Sequence, residues 1–122
     1  MDRSPPDFPF YAQQEFSGTI HLDAAVFNGD HLFALRVKGD SMKNAGILDG
    51  DLVICEPRQY VENGEIVAAL IGHVEATVKR FFLKESGIEL QPENPDFKAV
   101  TYDFGEVIVQ GRVVGLVRIF GL

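Results

Sequence analysis

Two residues of this chain have types and settings that suit covalent chemistry on a carbonyl group. Ser41 sits in Val37-Lys38-Gly39-Asp40-Ser41-Met42, where an apolar run leads into a glycine and then presents a hydroxyl beside a bulky methionine. A serine on a turn projects its Oγ, and neighbouring backbone N–H groups can converge on an oxyanion. Gly-Asp-Ser is equally an ordinary turn, so by itself the segment leaves both readings open. Such a serine needs a base, and the candidate is Lys79 in Glu75-Ala76-Thr77-Val78-Lys79-Arg80-Phe81-Phe82. In a strand Thr77, Lys79 and Phe81 point one way and Val78, Arg80 and Phe82 the other. An ordinary lysine, with a pKa of about 10.4, is neutral in only about one molecule in 2,500 at pH 7. Bringing that pKa down to 7 costs about 4.6 kcal/mol, a change that burial among apolar side chains can produce. A buried Lys79 meets the requirement; an exposed one is a solvated strand residue. Met42 and Val78, next to these two, are candidates for the substrate pocket.

Other chemistries find less support. His21, His31 and His73 are widely spaced and no Cys/His pair has ligand spacing, so no metal site is expected. Asp49-Gly50-Asp51 cannot supply the roughly 6–8 oxygens that calcium takes. No glycine-rich phosphate loop is present, and no cofactor is expected. Nothing points to a Ser-His-Asp triad, although spacing does not exclude one. The single cysteine, Cys55, lies in the apolar run Leu52-Val53-Ile54-Cys55 and reads as a buried free thiol, at home in a reducing cytoplasm.

The elements that must position Ser41 and Lys79 read as strands. Short β-branched and aromatic runs recur at 31–37, 52–55, 66–71, 75–82, 88–91, 99–102 and 107–119, the last broken near Gly111. Asp49-Gly50, Asn63-Gly64, Gly72-His73 and Ser86-Gly87 separate them, and Gly72-His73 is tight enough to close a hairpin. Asp23 is placed to cap a single helical turn over 23–27. The fold class is therefore mainly β. Residues 1–14 stand apart, because Pro5, Pro6 and Pro9 among Phe8, Phe10 and Tyr11 predict an extended arm outside the central sheet. Residues 15–122 form the domain proper.

Bulk properties narrow the function. A chain of 122 residues with 46% apolar residues fits one globular domain. Eleven basic residues scattered among eighteen acids give a net charge of −7, which does not make a phosphate-binding face. Contact with DNA would therefore fall to another domain. No apolar stretch approaches the roughly 18 residues needed to span a bilayer, and no secretory signal core follows Met1, so a cytoplasmic location is expected.

Taken in order, Gly39-Asp40-Ser41-Met42, Gly46 with Asp49-Gly50-Asp51, Asn63-Gly64, Thr77-Val78-Lys79-Arg80 and Pro92-Glu93-Asn94 resemble the LexA/UmuD family of self-processing S24 peptidases, across nearly the whole chain. Ser41 and Lys79 stand 38 residues apart, close to that family's spacing. Ala12-Gln13-Gln14 and Pro92-Glu93-Asn94-Pro95-Asp96-Phe97 are more similar to the repressor branch than to the polymerase-accessory branch. The resemblance implies a barrel-like assembly of twisted antiparallel sheets, with Ser41 as nucleophile, neutral Lys79 as general base and the Asp40 and Ser41 N–H groups at the oxyanion. It implies cleavage of the protein's own interdomain linker when a RecA filament stimulates it, within an SOS-response repressor. It also implies a homodimer formed through the region from Gly111 to Phe120. Two departures stand out: no helix-turn-helix precedes the domain, and the Ala-Gly or Cys-Gly bond the family cuts is missing from the stretch before Ala12. Residues 1–14 accordingly read as a remnant of the linker, which leaves open a catalytic fragment, a product-like form or a relative that cleaves nothing in cis.

Two other readings remain open. A non-enzymatic, UmuD'-like dimerising module that binds a translesion polymerase would use the apolar run ending at Phe120 as a pairing edge, whereas a buried central strand would look the same. Type I signal peptidase shares a Ser-Met element and a lysine base but carries a membrane anchor, for which no segment is seen here.

Overall fold

The computed structural model describes residues 7–11, 19–21 and 31–120. Its strands are β1 (Asp7–Tyr11), β2 (Thr19–His21), β3 (Phe33–Arg36), β4 (Leu52–Pro57), β5 (Ile66–Ile71), β6 (Glu75–Lys84), β7 (Gly87–Gln91), β8 (Val100–Tyr102) and β9 (Val107–Val117). Two 3-10 turns, Lys43–Ala45 and Phe104–Glu106, complete the regular structure among the described residues. The mainly β expectation holds. The strands hydrogen-bond in the order β2-β1-β3-β4-β9-β5-β6-β7-β8, antiparallel except for the β1/β3 pair. The two ends do not pair with each other, so the sheet is open rather than closed into a barrel.

Local sequence explains most of these elements. Gly72 and His73 both adopt positive φ (60° and 62°), and Val74 N–H donates to Ile71 O, closing the β5–β6 hairpin with Ile71 opposite Glu75. The break expected near Gly111 is instead a continuous strand with two irregularities. One lies between Ala69↔Val109 and Ala68↔Gly111, the other between Cys55↔Val113 and Ile54↔Gly115. These bulges let β9 pass from one partner to the other. Gly111 and Arg112 belong to both ladders at once, opposite Ala68 and Val67 on β5 and opposite Pro57 and Glu56 on β4. Only glycine fits there, because a Cβ at Gly111 would lie 2.6 Å from Glu56 O.

The arm expected over residues 1–14 is corrected for Asp7–Tyr11, which joins the sheet. Pro9 withholds one donor, but it falls in the β1/β2 pair. The parallel pair with β3 is made beyond it, by Phe10 and Tyr11. The helical turn expected at 23–27 lies outside the described residues.

Two apolar clusters pack against opposite faces of β5 and β6. One contains Leu35, Val37, Met42, Ile47, Val53, Cys55, Ala68 and Val78; the other contains Val67, Ala69, Phe81, Ile88, Leu90 and Val107. β5 and β6 contribute to both, since their alternate residues face opposite sides.

Candidate active site

Ser41 lies half-buried in the irregular segment between β3 and β4, immediately before the turn Lys43–Ala45. Gly39, with φ of 88°, lets the chain leave β3 sharply. The segment is then held from several sides. Asp51, only 1% exposed, accepts Leu48 N–H at 2.7 Å and a two-pronged contact from Arg118 at 2.7 and 2.8 Å. Arg118 also donates to Gly46 O at 3.1 Å, and Asp49 accepts Gly39 N–H at 2.7 Å. From the loop after β7, Glu93 N–H donates to Ser41 O (2.8 Å), and Asn44 N–H donates to Glu93 O (2.8 Å). Asn94, 7% exposed, donates from Nδ2 to Asp40 O at 2.9 Å.

These ties use carbonyl groups of Asp40 and Ser41. The N–H groups of Asp40, Ser41 and Met42 find no acceptor among the described residues. A turn whose carbonyls are engaged and whose N–H groups are free is suited to receive an anion.

Lys79 comes from β6, opposite Val67, which is fully buried. It shares a face with Thr77, and its Nζ donates to Thr77 Oγ1 at 2.6 Å. Burial pushes the lysine pKa below its ordinary value, with the Glu75 carboxylate pulling weakly the other way. Ser41 and Lys79 line one cleft of about 230 Å³, together with Lys38, Gly39, Asp40, Thr77 and Phe97. Glu75, Thr77 and Lys79 also border an adjoining cavity of about 130 Å³ edged by Lys98, Val100 and Tyr102. Lys79 thus stands where two hollows meet.

Met42 and Val78 border the cleft but belong to the core beneath it, at 1% and 9% exposure. They form its floor. Cys55 is buried in the same core, where desolvation pushes its thiol pKa up to about 12, as suits an inert packing residue. Among the described residues, no group of three or more His, Cys, Asp or Glu side chains could hold a metal ion. No helix among them is long and apolar enough to cross a membrane.

The sequence reading assigned no role to Arg118, Asn94 or Phe97. Arg118 and Asp51 are 67 residues apart, and nothing local in either segment signals the pair. Asn94 carried a signal, as part of Pro92-Glu93-Asn94, but its work on Asp40 needed the fold to be seen. An Ala-Gly bond does occur elsewhere, at Ala45-Gly46, yet it closes the 3-10 turn with Gly46 N–H donating to Lys43 O. That bond is coiled rather than extended and so is poorly shaped for attack.

A family model described as Peptidase S24-like matches residues 7–114. This chain belongs to the peptidase S24-like family. The LexA repressor of Desulfitobacterium hafniense (strain DSM 10664 / DCB-2) is 45% identical over 111 residues, covering 91% of this chain and 53% of that protein. The LexA repressor of Clostridium tetani is 53% identical over 111 residues, covering 90% of this chain and 54% of its own length. That of Clostridioides difficile is 43% identical, covering 91% and 53%. The chain spans about half the length of the curated relatives it matches. What the family match covers includes both Ser41 and Lys79.

Proposed function

We propose that this chain is the serine–lysine peptidase domain of a LexA-type SOS-response repressor, built to cut an interdomain linker when a RecA filament stimulates it. The observation that carries this reading is the meeting of Ser41 and a lysine of lowered pKa in one cleft, in a peptidase S24-like chain similar to LexA repressors. Ser41 Oγ attacks the carbonyl carbon of the scissile peptide while Lys79 Nζ takes the hydroxyl proton. The resulting oxyanion rests on the free N–H groups of Asp40 and Ser41. Collapse breaks the C–N bond, with Lys79 returning its proton to the leaving amine. Lys79 then deprotonates the water that hydrolyses the acyl-enzyme. Thr77 fixes one Lys79 N–H, which leaves the nitrogen lone pair free to face Ser41. A linker lying in the cleft completes the desolvation of a lysine that is only half-buried without it.

The test is cleavage in trans of a linker peptide containing an extended Ala-Gly bond, from neutral to alkaline pH. The rate is expected to rise with pH as Lys79 loses its proton, and to fall at least about a thousandfold in Ser41→Ala and Lys79→Ala. A folded protein that leaves the peptide intact at saturating concentration overturns the enzymatic reading.

The dimer-forming reading is supported by one feature of β9. Beyond Arg112 the strand is paired with β4 on one side and with no described strand on the other. Val114 and Leu116 are exposed along it, and Ile119 and Phe120 just beyond its end, Phe120 at 88%. A second copy pairing through the segment from Gly111 to Phe120 would cover that edge. Light scattering over a concentration series decides this: a mass fixed at one chain removes the homodimer.

A further inference from the structure

Ser41 and Lys79 stand on separate elements, and their separation must be held to within a fraction of an ångström for proton transfer. Apolar packing in the cluster that Met42 shares with Val78 brings the loop against β6, but such packing is non-directional. The Arg118 tie starts just past β9, and the Asn94 tie starts in the loop after β7, which joins β6 only through the backbone pair Arg80↔Gln91, two residues before Glu93. One side chain of β6 does reach the loop's supports. Arg80 follows Lys79 and leaves the opposite face of the strand. Its Nε donates to Glu93 Oε1, and its Nη1 donates to Gly64 O at 2.6 Å. Glu93 in turn grips the nucleophile segment through both sides of its own peptide, donating to Ser41 O and accepting from Asn44 N–H, each at 2.8 Å.

We propose that Arg80 and Glu93 are positioning residues that set the distance between Ser41 and Lys79, by fastening the base-bearing strand to the peptide that holds the nucleophile. The proposal rests on the dyad reading above. Both side chains are about one-third exposed (33% and 32%), so the pair adds little to stability and can be altered in a folded protein. What it supplies is direction: a planar fork that fixes where Glu93, and with it Ser41, sits relative to β6.

The experiment uses the 122-residue chain and the Ala-Gly linker peptide, with Arg80→Lys, Glu93→Gln and the double variant. Each single variant is expected to lower kcat about 10–100-fold with KM unchanged. The midpoint of the pH–kcat curve is expected to stay in place, because Lys79 keeps its burial. The double variant is expected to be no worse than the poorer single, since both changes break one link. An unchanged kcat, a pH midpoint that moves with the loss, or losses that multiply in the double variant would overturn the proposal. If the parent chain itself does not cut the peptide, the dyad reading fails, and amide hydrogen exchange tests the fastening by itself. Faster exchange confined to the Glu93 and Asn44 N–H groups in Arg80→Lys supports it, whereas unchanged protection there refutes it.

Discussion

Ser41 and Lys79 are placed by opposite means. Lys79 stands in the ten-residue strand β6, in register with β5, and its surroundings are set by backbone ladders. Ser41 stands in a stretch with no strand pairing, held by Asp49, Asp51, Glu93, Asn94 and Arg118. The difference follows from what each group needs. A neutral lysine needs a low-dielectric face, which a paired sheet offers. An oxyanion needs free N–H groups, which a paired sheet consumes. A serine proposed as nucleophile therefore has to leave the ladder, and polar side chains must replace the order it gives up.

The comparison is tested most sharply at Asp51. Asp51→Asn removes the charged acceptor of Arg118 and is expected to cost about 2–3 kcal/mol, read as a lower urea midpoint, with cleavage lost in parallel. Little loss of stability would mean that the loop is ordered by its apolar residues instead. On the ladder side, Lys79→Met is expected to abolish cleavage yet stabilise the fold by about 1 kcal/mol at pH 7. The sign follows from the depressed lysine pKa: the folded state holds its proton less tightly, so the penalty is present at neutral pH and fades as pH rises toward 10.5. Thermal melts at pH 7 and pH 10 measure that difference.

Two smaller effects concern charge. The Asp51 carboxyl is held below its ordinary 3.8, chiefly by the hydrogen bonds from Arg118. Its contribution is complete above that value and is lost as pH falls through the depressed one, so the parent's acid limb is expected to flatten in Asp51→Asn. Urea midpoints between pH 5 and pH 2 show whether it does. Glu75→Gln removes the carboxylate that raises the Lys79 pKa, and the pH–rate midpoint is expected to move down slightly. A midpoint that moves upward would place another charge in control.

The sequence conveyed the ladder better than the loop. Ile66–Ile71 was read with its observed ends, and Gly72-His73 joins the strands it was expected to join, because period-two patterning and turn chemistry are local properties. Lys79 and Ser41 line one cleft. The ties of the loop were not legible, since Asp51 finds Arg118, and Asn94 finds Asp40, only after distant strands have packed. Pro9 misled for a related reason. A proline argues against a central strand, but Phe10 and Tyr11 beyond it pair with β3 regardless. Gly111 read as a break because sequence does not reveal a strand that changes partners.

That change of partners has a consequence for how the protein is made. Among the described strands, β1 to β4 pair with one another and β5 to β8 pair with one another, and β9 alone joins the two sets. Ser41 belongs to the first set and Lys79 to the second. On a ribosome both leave the exit tunnel well before Val107–Val117, yet the sheet that unites them is incomplete until that last strand slots between its two neighbours. An unfinished chain thus carries both reactive groups without the strand that links their ladders, held near each other only by the Glu93 and Asn94 hydrogen bonds and apolar packing, so the geometry proposed for cleavage is complete only once β9 is in place.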